Sequence, residues 1–150
     1  MKKRRVVLLT VLFGLLIIQS IQIYALQRSV RIPDYENQTE YTTNLQPYAS
    51  ITFRNGISAD KHEAGAESWS NYPFTRTSVN ATFYWNRYDM NGILVETGTI
   101  YLWDGHDGCS SVEVPSTSGT RKYYYQVVSN HSADCNGPSI SYPNLTTFVP

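Results

Sequence analysis

The dipeptide Asn91-Gly92, set between two runs rich in aromatic and β-branched residues, constrains this chain more than any other feature. Asn-Gly is the strongest short signal for a two-residue type I′ hairpin turn, because both turn positions need positive φ. With the turn placed there, Met90 faces Ile93 and every later pair is fixed. Phe83 falls opposite Ile100, Ala81 opposite Leu102, and Arg87 opposite Glu96, an opposite-charge pair. Trp85 falls opposite Gly98, so the indole can cover a residue that has no side chain. The other face carries Tyr88 with Val95, Asn86 with Thr97, Tyr84 with Thr99, Thr82 with Tyr101 and Asn80 with Trp103. A slip of one residue would put Phe83 opposite Tyr101 and Arg87 opposite Thr97, losing the charge pair.

The rest of the chain reads as β as well. Thr, Tyr, Val, Ile, Phe and Trp recur between Gly, Pro, Asn and Asp. Strands are expected at Ala49–Arg54, at Arg121–Val128, and near the end at Ser139–Tyr142 or Thr146–Val149. Residues 60–67 could form one helical turn, weakened by Gly65. Residues 26–47 show neither a period of 2 nor one of 3.6 and read as a flexible lead-in, with room for one strand near its end. Residues 48–150 then form a single all-β domain. The expected architecture is an antiparallel β-sandwich, immunoglobulin-like or jelly-roll-like, with a small β-barrel as the alternative.

The first 25 residues read as an export signal. Lys2, Lys3, Arg4 and Arg5 precede an apolar run from Val6 to Ile18, and Ala25 offers a small residue for cleavage. An uncleaved membrane anchor is the alternative, since the segment approaches the roughly 20 residues that span a bilayer. The mature part is therefore expected to be secreted, or held at the cell surface by this segment. Beyond Ala25, eight basic side chains stand against all twelve acidic ones, a net charge of −4. That argues against a nucleic-acid partner, which requires a dense basic face. It leaves the N-terminal segment as the expected route to a membrane. Cys109 and Cys135, two cysteines in an exported chain, read as one disulfide worth roughly 3 kcal/mol.

Two groups of residues carry candidate chemistry. Tyr84, Tyr88, Tyr101 and Trp103, with Asn86, share one hairpin face and could stack on sugar rings while the amide bonds sugar hydroxyls. The alternative is that this face packs against the second sheet, since tyrosine is favoured in strands on structural grounds alone. Asp104, His106 and Asp107 lie within four positions and could hold a metal ion, although Asp-Gly and His-Asp-Gly are also ordinary turn chemistry. His62-Glu63 lacks the second histidine of a zinc-protease helix, and His131 reads as loop. No nucleophile elbow or phosphate-binding loop occurs, and no cofactor is implied. The expected function is a secreted, non-catalytic binding module for a glycan, a cell-wall component or a partner protein. A toxin-like antimicrobial effector and a small extracellular hydrolase near Asp104, His106 and Asp107 are the alternatives.

Overall fold

The computed structural model describes residues 31–45, 49–58, 60–114 and 121–150. The export segment and the start of the lead-in lie outside the described residues. Eight strands follow in order: β1 (Asn37–Leu45), β2 (Ala49–Ser58), β3 (Glu63–Ser70), β4 (Arg76–Tyr88), β5 (Leu94–Asp107), β6 (Cys109–Val114), β7 (Arg121–Asp134) and β8 (Ser139–Phe148). They build two four-stranded antiparallel sheets, β1-β2-β3-β6 and β5-β4-β7-β8. This is a β-sandwich, and among the described residues no pairing closes it into a barrel. Four strands per sheet match a jelly roll in number. The order departs from the immunoglobulin one, where the third strand leaves the sheet of the first two.

The β4–β5 hairpin has the expected register from Asn80↔Trp103 to Arg87↔Glu96. Its turn is different. Gly92 alone takes positive φ, at 77°, and Asn91 does not. Gly92 N–H donates to Asp89 O at 3.1 Å, and the Asp89 carboxylate accepts from the N–H groups of Asn91 and Ile93, both at 2.9 Å. This is a type I turn followed by a left-handed glycine, the three-residue hairpin loop. The longer loop shifts the register by one, and Val95, the extra residue between Leu94 and Glu96, shifts it back. Tyr88 therefore faces Leu94 rather than Val95.

Trp85 does cover Gly98. A Cβ on Gly98 would sit 2.3 Å from Trp85 Cζ2. Because Trp85 is part of the packed core, its ring has little room to move. Gly98→Ala is expected to destabilise by about 1–3 kcal/mol, the usual range for overpacking, read as a lower urea midpoint at unchanged slope.

Alternation along β4 is strict. Val79, Ala81, Phe83 and Trp85 are buried, while Ser78, Asn80, Thr82 and Tyr84 are only half-buried. The buried row meets Ile57, Ala64 and Ala66 of the other sheet. A second apolar cluster holds Ile51, Phe53, Ala133, Cys135 and Leu145. A chain of polar side chains also crosses the sandwich. Thr147 Oγ1 donates to Asn55 Oδ1 at 2.6 Å, and Asn55 Nδ2 donates to Ser129 Oγ at 2.7 Å and Leu145 O at 2.6 Å. Ser129 Oγ lies 2.6 Å from His131 Nε2, and His131 Nδ1 lies 2.9 Å from Ser68 Oγ, which donates to Ser78 O. His131 is thus a core residue of β7, not a loop residue.

Tyr124, also in the core, has a buried hydroxyl that finds no hydrogen-bond partner among the described residues. Tyr124→Phe removes that unsatisfied group and keeps the ring, so it is expected to raise stability by about 1 kcal/mol in the same denaturation experiment.

Several sequence expectations are corrected. Residues 60–62 form a turn, and Glu63–Ser70 is strand β3 rather than helix. The strand for which the lead-in left room is β1, and the residues just before it run across the outer face of the first sheet, where Ile32 and Tyr35 are buried. They fit there because Gly56 and Gly65 leave room: a Cβ on Gly56 would meet the Tyr35 ring at 2.7 Å. Arg54 and Glu67, cross-strand neighbours on that face, hold the strap. Glu67 Oε2 accepts from Ile32 N–H at 3.0 Å, and Arg54 Nη2 donates to Ile32 O at 2.9 Å and to Glu67 at 2.9 Å.

The disulfide is a further correction: no bond joins Cys109 and Cys135, and both are buried thiols. Cys109 is paired with Trp69, so it shares the outer face of the first sheet with Glu67. Cys135 packs between the sheets. The first sheet stands between the two thiols. Burial, aided by Glu67, pushes the Cys109 thiol up to about 12, which suits an inert structural side chain.

Candidate functional site

The outward face of the β5-β4-β7-β8 sheet collects every residue of the aromatic candidate. Because β-strand side chains alternate, the inward row that ends at Trp85 leaves Asn80, Tyr84, Asn86 and Tyr88 pointing away from the core. Their neighbours on β5 are Thr97, Thr99, Tyr101 and Trp103. Tyr101 and Trp103 are 65% and 63% exposed, so this face does not pack against the second sheet. Two residues apart on one strand, they stand about 7 Å from each other along it.

Local hydrogen bonds fix parts of this surface. Tyr101 donates its hydroxyl to Asn80 Oδ1 at 3.0 Å, and Asn86 Nδ2 donates to Tyr88 Oη at 3.3 Å. β7 adds a row that sequence reasoning did not include. A bulge after Tyr84 leaves Tyr125 as an extra residue, and its ring centroid lies 6.3 Å from that of Tyr84. Gln126 pairs with Tyr84, and Phe148 of β8, 59% exposed, pairs with Gln126. The run of three tyrosines at 123–125 hides which of them faces outward, and only the pairing of β7 with β4 and β8 places these residues on this face.

At one end of the same face lies a depression of about 300 Å³ lined by Arg76, Ser78, Ser132, Asp134, Ser139 and Ser141, among others. The Ser78 and Ser132 hydroxyls in its lining share a hydrogen bond of 2.6 Å. The depression adjoins Asn80 and Asn130, the next outward pair along β4 and β7.

The second candidate lies in strand, not loop, because β5 runs through to Asp107 and breaks only at Gly108, where φ is 83°. Strand alternation therefore separates its members. Asp104 and His106 point to one side, with His106 Nε2 3.0 Å from Asp104 Oδ1, while Asp107 points to the other. The second Asp104 oxygen accepts from Ser111 N–H at 2.9 Å. Among the described residues no group of three or more His, Cys, Asp and Glu comes together as a metal site. Ser110 Oγ bonds the backbone N–H of His106 and Thr77 O, which directs it at the main chain and not at the imidazole. His62 sits in the turn before β3 against Tyr123, and Glu67 is taken up by the strap.

The contact of Ser68 and Ser129 with His131 superficially suggests nucleophile activation. All three are buried in the core, and among the described residues no carboxylate bonds the imidazole. No family model matches the chain, and neither curated proteins nor solved structures give a match.

Proposed function

We propose that this is an exported, non-catalytic binding module that takes its ligand on the outward face of the β5-β4-β7-β8 sheet. The N-terminal segment Met1–Ala25 would direct it out of the cytoplasm, and the mature domain would act outside the cell. The observation that carries the reading is the exposure of Tyr101 and Trp103 on a flat strand surface, beside amides and hydroxyls already held in place. Large, rigid, amphipathic side chains give contact area at low entropy cost. A glycan, a cell-wall component or a partner protein would each use such a surface.

Purified residues 26–150 should bind saturably to whole cells, isolated cell wall or a glycan array. Tyr101→Ala/Trp103→Ala should lower that affinity at least tenfold while far-ultraviolet circular dichroism and the unfolding midpoint hold, because both side chains are mostly solvent-exposed. Unchanged binding by the folded double variant would refute the site.

A second reading, a secreted effector acting on other cells, draws on the β4–β5 tip. Met90, Ile93, Leu94 and Val95 are all exposed there, an apolar cluster at the end of a hairpin. Killing of neighbouring cells that is lost in Met90→Ser/Ile93→Ser would favour it.

A further inference from the structure

The ligand class can be taken further, resting on the binding-face reading above. Beyond the row Asp107, Arg76, Asp134 at one end, the outward positions of β4 from Ser78 to Asn86 and their partners on β5 and β7 carry no charged side chain. They are Ser, Asn, Thr, Gln, Gly, Val and aromatic residues. From Ser78 to Asn86 this uncharged tract is about 27 Å long at the usual strand rise, and it crosses a sheet four strands wide.

That composition discriminates between ligands. An anionic polymer needs basic side chains to replace its counterions. The basic side chain nearest the depression is Arg76, and its neighbours across both adjoining strands are the carboxylates Asp107 and Asp134, which repel anions. A protein partner would be met by hot-spot chemistry in which Arg accompanies Trp and Tyr, and the tract contains no Arg. An uncharged sugar chain fits both features. Its apolar C–H faces lie on aromatic rings such as Trp103 and Tyr101. Its hydroxyls, each a donor and an acceptor, match the amides and hydroxyls of Asn80, Asn86 and Thr99.

The depression sets the end of the tract. Its 300 Å³ is about ten water volumes, room for one sugar ring. Its lining serines, with Arg76 and Asp134, offer both donors and acceptors to adjacent hydroxyls. We infer that the outward face binds an uncharged polysaccharide along the strands, with a terminal sugar in the depression beside Ser78, Ser132 and Ser141.

Affinity electrophoresis of residues 26–150 through gels containing neutral polymers (β-glucan, α-glucan, mannan, galactan, xylan) or anionic ones (polygalacturonate, alginate, hyaluronate) tests this. The expected result is retardation by at least one neutral polymer and by none of the anionic ones. Trp103→Ala should weaken that retardation at least tenfold. Ser141→Leu, which fills the depression from an exposed position, should do the same for short oligosaccharides of the bound polymer used as competitors. Retardation by anionic polymers alone, or by none of the panel, overturns the inference. If Trp103→Ala still abolishes binding to cells in that case, the binding face stands and only the ligand class falls. Neutral-polymer binding that is indifferent to Trp103→Ala and Ser141→Leu overturns both.

Discussion

Replacing Glu67 by glutamine is expected to destabilise the protein by about 3 kcal/mol, the lower end of the range for breaking a buried ion pair. Glu67 is fully buried on the outer face of the first sheet and accepts from Arg31, Arg54 and the Ile32 N–H at once. Glutamine keeps the volume but removes the charge that balances Arg54, itself almost fully buried. Arg54 keeps its pairing with the exposed carboxylate of Asp34, which keeps the loss from the upper end of the range. The strap should loosen first, because Arg31 and the Ile32 N–H are tied to the sheet through this carboxylate. Glu67→Gln should therefore speed amide exchange at residues 31–36 before it lowers the global urea midpoint. Arg54→Met/Glu67→Leu, which leaves no charge buried alone, should recover most of the loss. A Glu67→Gln protein as stable as wild type would show that the strap is held by apolar contacts alone.

The second large effect is a pH dependence centred on His131. Burial holds its imidazole down to about 4, against an ordinary value of 6.5. The hydrogen bonds agree with a neutral ring. Ser68 commits its proton to Ser78 O, so His131 Nδ1 donates to Ser68, and Nε2 accepts from Ser129. In the unfolded chain the ring takes up a proton near pH 6.5, whereas the folded chain resists until about pH 4. The unfolded state therefore binds more protons in that window, and stability falls as pH falls through it. The contribution is complete above pH 6.5 and amounts to about 3 kcal/mol. Carboxylates titrate at the lower edge of the same window, so the informative quantity is a difference. His131→Gln should be less stable than wild type at neutral pH, and the gap in unfolding free energy should close by about 3 kcal/mol between roughly pH 7.5 and pH 4. A gap that stays constant with pH would mean that the folded protein accommodates the imidazolium.

What could be read from the residues follows from how local each determinant is. The β4–β5 hairpin was legible because cross-strand pairs such as Arg87↔Glu96 and Trp85↔Gly98 repeat one register independently. Even the turn misassignment left the register correct, since the Val95 bulge cancels the longer loop. β3 was not legible. Its sequence, Glu63-Ala-Gly-Ala-Glu-Ser-Trp-Ser, has small residues where a strand usually shows branched ones, because Gly65 makes space for a strap contributed from more than thirty residues away. Its polar members are explained only by distant partners: Glu67 by Arg54 and Ile32, Ser68 by His131.

The cysteines failed for a related reason. Both stand at the ends of strands, but a shift of one position along β6 decides whether a side chain points into the sandwich or out of it, and Cys109 points out. The same alternation splits Asp104 and His106 from Asp107, because the stretch whose Asp-Gly and His-Asp-Gly steps read as turn chemistry is strand up to Asp107. The aromatic candidates held together because they all came from one hairpin whose register was already fixed. Tyr125, Gln126 and Phe148 reach the same face through long-range pairing of β7 and β8, which no local pattern announces.

On the proposed function, the outward face of the β5-β4-β7-β8 sheet is where this protein meets its ligand. The most direct measurement is hydroxyl-radical footprinting of residues 26–150, free and bound to the cells or cell-wall fraction that retain it. Tyr101 and Trp103 should be protected on binding, while Phe74, exposed in the β3–β4 connection, and Tyr41 on β1 of the other sheet should oxidise at the same rate in both states. Protection of Phe74 or Tyr41 with Tyr101 and Trp103 unchanged would place the interaction elsewhere and contradict the account.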